Sequence, residues 1–336
     1  MTARTLYSAG ITGTGMSFPD KVVTNHDLEQ IVDTNDEWIR ERTGIRERRF
    51  TEPGTPASHH GILAARQALD MAGVSPEEID LIVVPTVTPD MLFPSTACII
   101  QNALGCTNAW GYDLSAACSG FLFALQTVRA QIEAGAVKKA LLVGTEVMTS
   151  IMDMTDRNTC ILFGDGAGAV VLERLPEGLE GIIDHIHHID GRGAEFLSMP
   201  AGGSAHPATA ETVAAGMHYI RQEGREVYKR AVKGMTEVTV DIVERNDLTG
   251  EQIKLFVPHQ ANLRIIEAVQ RRVGLTDAQV AVNIDRFGNT TSATIPSCLH
   301  MHQEQGTLQP GDYVVLAAFG AGFTWGSTLL RWTVGA

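Results

Sequence analysis

No run in this 336-residue chain approaches the roughly 18 continuous apolar residues that a membrane span needs. The start, MTARTLYSAGITGTG, lacks a basic stretch followed by an apolar core, so no secretory signal is expected and a cytoplasmic setting follows. Basic excess is missing too: 26 Lys and Arg face 39 Asp and Glu, a formal net charge of −13. That sign disfavours general nucleic-acid binding, and an acidic partner would have to meet a local basic patch. The five cysteines (98, 106, 118, 160 and 298) are odd in number, widely spaced and without a C-x-x-C pair. Neither a disulfide framework nor a zinc ribbon fits them, so each thiol needs its own explanation.

Cofactor signatures are also missing. GITGTGMSF and FGDGAGAVV are rich in glycine, but neither has G-x-G-x-x-G spacing into a helix and no GK[ST] follows. They read as tight turns between strands. DHIHHID (184–190) alternates histidines as zinc ligands might, yet no further ligand cluster lies nearby in the sequence, and no metal is expected.

What the chain does have is apolar content, 44%, and length enough for two domains or one doubled domain. An internal repeat organises it. EEIDLIVVP (77–85) resembles EQIKLFVPH (251–259), and VKKALLVG (137–144) resembles PGDYVVLAA (310–318), both at an offset of 174. AVVLE (169–173) then matches STLLR (327–331) at an offset of 158. The first half therefore carries about 16 extra residues within TSIMDMTDRNTCILFGD, a natural place for a functional loop. The stretch 190–216, rich in Gly, Ala and Pro, reads as a second insertion, a loop or lid. IDLIVV, KALLVG and YVVLAAF are continuous apolar runs, as expected of strands covered on both faces. An α/β fold of two similar halves sharing a layered core is expected, divided as 1–175 and 176–336.

Candidate chemistry sits at element ends. In DLSAACSGF, Cys118 lies among very small side chains ahead of an apolar helical run. It reads either as a small hydrophobe in a tight turn or as a nucleophile at a helix N-terminus, where partial positive charge favours thiolate. His259 follows the buried strand KLFV, where α/β sites usually sit, although a structural histidine fits that place as well. Asn289, four residues after Asp285, answers Cys118, five after Asp113, as though equivalent turns presented an amide and a thiol to one axis. Gly-Asn turn chemistry is its plainer explanation. Together the three make a Cys–His–Asn constellation.

DEWIRERTGIRERR, DLSAACSGF, TDRNT, FGDGAGA, PHQANLRII, GNTTSATIP and AFGAGFTWGS together resemble the β-ketoacyl-acyl carrier protein synthase III family, in the family's order and over nearly the whole chain. The resemblance implies a thiolase-type fold in an αβαβα arrangement, usually a homodimer. It implies acetyl transfer from coenzyme A to Cys118, then decarboxylative condensation with malonyl-acyl carrier protein, without a cofactor. Backbone N–H groups of Cys118 and Ala321 would hold the oxyanion; His259 and Asn289 would hold the enolate. Trp38, Arg42 and Arg157 would clamp coenzyme A, and Lys229, Arg264, Arg271 and Arg272 would receive acidic carrier protein, with solvated helix charges as the plain alternative. Phe319 would bound the acetyl end, and Phe93 would reach a partner subunit's acyl pocket. Two positions depart from the family pattern: Ala321 replaces a common glycine, and Arg225 stands where asparagine is frequent. Starter-unit enzymes of polyketide or quinolone synthesis keep the same triad, and a cysteine hydrolase is a more distant reading.

Overall fold

The computed structural model describes residues 6–336. Two sheets carry the doubled pattern. The first, ordered β1-β7-β6-β4-β5, contains β1 (Ala9–Ser17), β4 (Leu81–Pro85), β5 (Trp110–Leu114), β6 (Lys139–Glu146) and β7 (Gly166–Arg174). The second, ordered β11-β12-β13-β8, contains β8 (Ile182–Ile189), β11 (Ile253–Pro258), β12 (Tyr313–Gly320) and β13 (Thr324–Arg331). Short antiparallel ribbons join β2 (Val22–Thr24) to β3 (Glu47–Arg49) and β9 (Leu197–Ser198) to β10 (Arg221–Gln222). β4 runs parallel to β6 and β6 antiparallel to β7; β11, β12 and β13 repeat that pattern. The starts of β6 and β12 lie 174 residues apart and those of β7 and β13 lie 158 apart, the two offsets of the sequence repeat. The second half has no full counterpart of β5, only a bridge from Phe256 to Val280.

Alternation along each strand fills both sides of the sheets. In β4, Leu81 and Val83 face the central core, whereas Ile82 and Val84 face the outer one. The central layer is a helix pair, α5 (Gly120–Glu133) and α10 (Thr294–Glu304), whose starts are again 174 apart. Phe121, Leu122, Leu125, Ile295 and Leu299 join strand residues of both sheets in one core there. α3 (Ala57–Ala72) and α4 (Thr96–Leu104) cover the first sheet; α7 (Gly224–Glu244) packs over the second and against α8 (Leu263–Val273). The short helices are α1 (Asn25–Leu28), α2 (Asp36–Thr43), α6 (Ala210–Ala214) and α9 (Ile284–Phe287).

The glycine-rich stretches are strands and not turns between them. GITGTGMS lies within β1, and GAGAVV opens β7. Their glycines permit close helix approach: a Cβ at Gly13 or Gly15 would overlap a carbonyl oxygen of α3, and one at Gly168 would come within 2.7 Å of the Ser297 nitrogen. The 190–216 stretch contributes β9 and α6.

Candidate active site

A cavity of about 960 Å³ is lined by Cys118, His259 and Asn289, all buried, and also by the exposed Arg42, Arg225 and Arg264. It therefore joins a buried polar end to a basic outer edge.

Cys118 sits in a tight turn, Ala117–Ser119, that feeds α5. Ala117 enters the turn with φ 48°, and Thr291, 174 residues later, enters the matching turn with φ 51°. This corrects the expected correspondence: the counterpart of Cys118 is Ser292, and Asn289 precedes it by three residues. The end of β12 presses on the Cys118 turn, where a Cβ at Gly320 would lie 2.8 Å from the Cys118 nitrogen. Two hydroxyl bonds fasten the contact: Ser119 Oγ donates to the Thr324 carbonyl and Thr324 Oγ1 to the Ala116 carbonyl, both at 3.0 Å. Ala321 and Phe319 line the cavity beside this junction.

The thiol's charge state differs from the expectation. Burial foremost, then the Glu146 carboxylate, pushes the Cys118 thiol up to about 12. Burial acts this way because it disfavours the charged thiolate.

His259 follows β11, its backbone N–H bonded to the Ala317 carbonyl at 2.8 Å. Its Nδ1 lies 2.7 Å from Thr294 Oγ1, while the buried Nε2 has no partner. Burial lowers its pKa to about 3. The unfolded chain takes up this proton near 6.5, so the residue supports folding fully above that pH, and the support is lost as pH falls toward 3. We expect the His259 ring resonances to show no titration near pH 6.5; a midpoint there would contradict the burial argument.

Asn289 is oriented by its own turn. Oδ1 accepts the Thr291 N–H at 2.9 Å, which leaves Nδ2 as the end free to meet a ligand. The Asn289 backbone is held by Leu162 and Gly164 of the inserted loop. Gln260, passed over in the sequence, locks this region: its Nε2 donates to the Pro258 and Ala281 carbonyls, and its Oε1 accepts from the Asn283 and Ile284 N–H groups.

At the outer end, Arg157 lies 4.6 Å over the Trp38 ring and Arg42 lies 5.8 Å from it. Trp38 and Arg42 line the cavity, and the inserted loop supplies Arg157 and the lining residue Asn158. Arg264 lies 5.5 Å over Tyr228. Lys229, Arg271 and Arg272 are exposed outside the lining, Arg271 3.6 Å from Glu267. Phe93 is 83% exposed and does not line this chain's own cavity. The described residues contain no group of three or more potential metal ligands, the 184–190 histidines included.

The duplicated layers and the convergent cavity define a thiolase-type α/β protein. Residues 112–191 match the family described as 3-oxoacyl-[acyl-carrier-protein (ACP)] synthase III, and residues 243–332 match its C-terminal family. A β-ketoacyl-[acyl-carrier-protein] synthase III of Koribacter versatilis is 50% identical over 325 residues, covering 96% of this chain and 98% of the relative. The crystal structure of 3-oxoacyl-[acyl-carrier-protein] synthase III from Aquifex aeolicus superposes with a TM-score of 0.89 at 42% identity, covering 97% and 100% of the two chains. A priming β-ketosynthase of a polyketide biosynthetic pathway gives 0.92 at 34% identity, covering 100% and 99%. The chain belongs to the β-ketoacyl-[acyl-carrier-protein] synthase III family.

Proposed function

We propose that this protein begins type II fatty acid synthesis, condensing an acetyl group from acetyl-CoA with malonyl-acyl carrier protein to give acetoacetyl-acyl carrier protein, coenzyme A and carbon dioxide. The observation that carries the reading is the convergence of Cys118, His259 and Asn289 on one cavity with a basic outer edge. In the first half-reaction Cys118 Sγ attacks the thioester carbonyl; its proton leaves with the departing coenzyme A sulfur. The oxyanion is met by the backbone N–H groups of Cys118 and Ala321. In the second, the malonyl carboxylate leaves as carbon dioxide and its bonding pair becomes an enolate. That enolate attacks the acetyl carbonyl, and the C–S bond breaks with its pair on Cys118 Sγ, which takes a proton from water to restore the thiol. Asn289 Nδ2 donates to the enolate oxygen. His259 donates from Nε2 once the Thr294 hydroxyl turns its proton toward Nδ1, leaving the ring proton on Nε2.

Under this reading the first half (1–175) supplies the nucleophile and the Arg157 loop, and the second half (176–336) supplies His259 and Asn289. Trp38, Arg42 and Arg157 hold the nucleotide end of coenzyme A. Arg264, with Lys229, Arg271 and Arg272, receives the acidic carrier protein in a cytoplasmic setting. Phe93 and its chain neighbours Met91 and Leu92 are exposed apolar side chains, the kind of surface a second copy would cover in a homodimer. Phe319, 4.9 Å from Phe323 between ring centroids, bounds the acyl end.

The likeness to a priming polyketide ketosynthase favours a second reading, condensation of a primer other than acetyl. A panel of acyl-CoA primers with malonyl-acyl carrier protein, read by mass spectrometry, separates the two. Acetoacetyl product supports the first reading, and condensation of a different primer alone supports the second. Free acid without carbon–carbon bond formation would replace both with a hydrolase. Trp38→Ala should raise KM for the coenzyme A substrate roughly three- to thirty-fold, the range expected for losing cation–π contacts, with little change in kcat. A kcat loss at unchanged KM would remove Trp38 from substrate binding.

A further inference from the structure

The residue after His259 makes every hydrogen bond it can, yet it stands outside the cavity. Gln260 is fully buried and does not line the cavity, although its chain neighbours His259 and Ala261 do. A primary carboxamide offers two N–H donors and one oxygen with two lone pairs. Here Nε2 donates to the Pro258 carbonyl at 2.8 Å and to the Ala281 carbonyl at 3.1 Å. Oε1 accepts the Asn283 N–H at 3.0 Å and the Ile284 N–H at 3.2 Å. Backbone carbonyls on one side and backbone N–H groups on the other fix which way the amide points.

Those four bonds join two segments at the end of β11. Before that point backbone groups hold them, with Phe256 bridged to Val280 and the Ala281 N–H on the Phe256 carbonyl at 2.9 Å. Beyond it, the Gln260 side chain acts as an added peptide group between them. On one side, its bond to the Pro258 carbonyl fixes the peptide unit that leads into His259. The N–H and carbonyl of His259 itself are held by Ala317 and Ala261. On the other side, the Asn283 and Ile284 N–H groups open α9, and the first N–H groups of a helix have no partner within it. The Asn283 side chain caps none of them and instead reaches Ser297 Oγ at 3.3 Å. The single turn of α9 ends at Phe287, and Asn289 follows two residues later. One amide therefore stands between the two groups that meet the enolate. Its four bonds leave none for the Cys118 turn, which is fastened separately through Ala116, Ser119 and Thr324.

We propose that Gln260 is a positioning residue that sets the spacing of His259 Nε2 and Asn289 Nδ2, and so governs condensation without taking part in acetyl transfer. Two donors on one oxygen are sensitive to their spacing, since a misplacement of about 1 Å can cost about 10²-fold in rate. The inference rests on the proposed condensation, with both groups on the enolate.

The test is Gln260→Met in the full-length protein, which keeps the length of the side chain and removes all four bonds. Condensation with malonyl-acyl carrier protein should fall by roughly 10–10²-fold, in kcat more than in KM, while acetylation by acetyl-CoA, followed by intact mass, stays within about threefold of the parent. Added to a His259→Ala, Asn289→Ala double variant, the same substitution should change condensation by less than about threefold, because the groups it places are gone. A loss of equal size in both backgrounds overturns the proposal, as does acetylation that falls in step with condensation. Condensation at the parent rate overturns it too. Gln260→Glu keeps the two accepted bonds and loses the two donated ones, and it carries the same test if Gln260→Met does not fold. Failure of both variants to fold would make the amide a folding element and overturn the proposal. A parent protein that condenses no primer rejects the proposed reaction itself, and this inference with it. A parent that condenses, beside a Gln260→Met protein without the split, rejects this inference alone.

Discussion

Cys118→Ala is expected to abolish acetyl transfer, with no acyl adduct on the protein by intact mass and condensation down by roughly 10⁴-fold or more, the scale seen when a covalent nucleophile is removed. No other thiol can stand in. Cys106, Cys160 and Cys298 are buried and Cys98 is exposed on α4, and none of the four lines the cavity. The substitution is mild for the fold, since it removes one sulfur from a turn already crowded with alanine and glycine. Melting should change by no more than a small core truncation would cause, about 1 kcal/mol. A Cys118→Ala protein that still carries acetyl after incubation with acetyl-CoA would place the nucleophile elsewhere.

The doubled architecture was legible because burial on both faces leaves continuous apolar runs, and two such runs recur at one offset. β1 and β7 were misread for a related reason. Their signal is glycine, which local rules assign to turns, while the need for glycine comes from α3 and α10 pressing against the strands. A helix N-terminus that favours thiolate at Cys118 is a local feature, whereas the burial that raises the thiol comes from the whole fold, and Glu146, the next cause, lies 28 residues away in the sequence. Asn289 was found through Asp285, yet the fold pairs Cys118 with Ser292, since left-handed backbone at Ala117 and Thr291 marks the equivalent turns. Thr294 and Gln260 went unnoticed: a threonine in TSATIP and a glutamine beside His259 carry no local mark of the bonds they make. Trp38, Arg42, Arg264, Phe319 and Ala321 reach the cavity, whereas Lys229, Arg271, Arg272 and Phe93 lie outside it, where any role depends on another molecule.

His259→Ala and Asn289→Ala should divide the reaction where Cys118→Ala stops it. Neither side chain bonds the sulfur: the His259 Nε2 has no partner, and the Asn289 Oδ1 is taken by its own turn. What each presents to the cavity is a polar end in a buried setting, where a donor aimed at developing charge is worth most. The enolate is that charge. Each variant should therefore lose about 10²–10³-fold in condensation, the usual scale for deleting one such donor, and still accumulate acetyl-enzyme from acetyl-CoA. The double variant should lose less than the product of the two, since both groups address one oxygen. Stopped incubations weighed by intact mass separate the steps directly, acetylated protein on one side and acetoacetyl-acyl carrier protein on the other. If either variant instead fails to acetylate while condensing a preloaded acetyl group normally, the donors serve the first half-reaction and the enolate must be held by other groups.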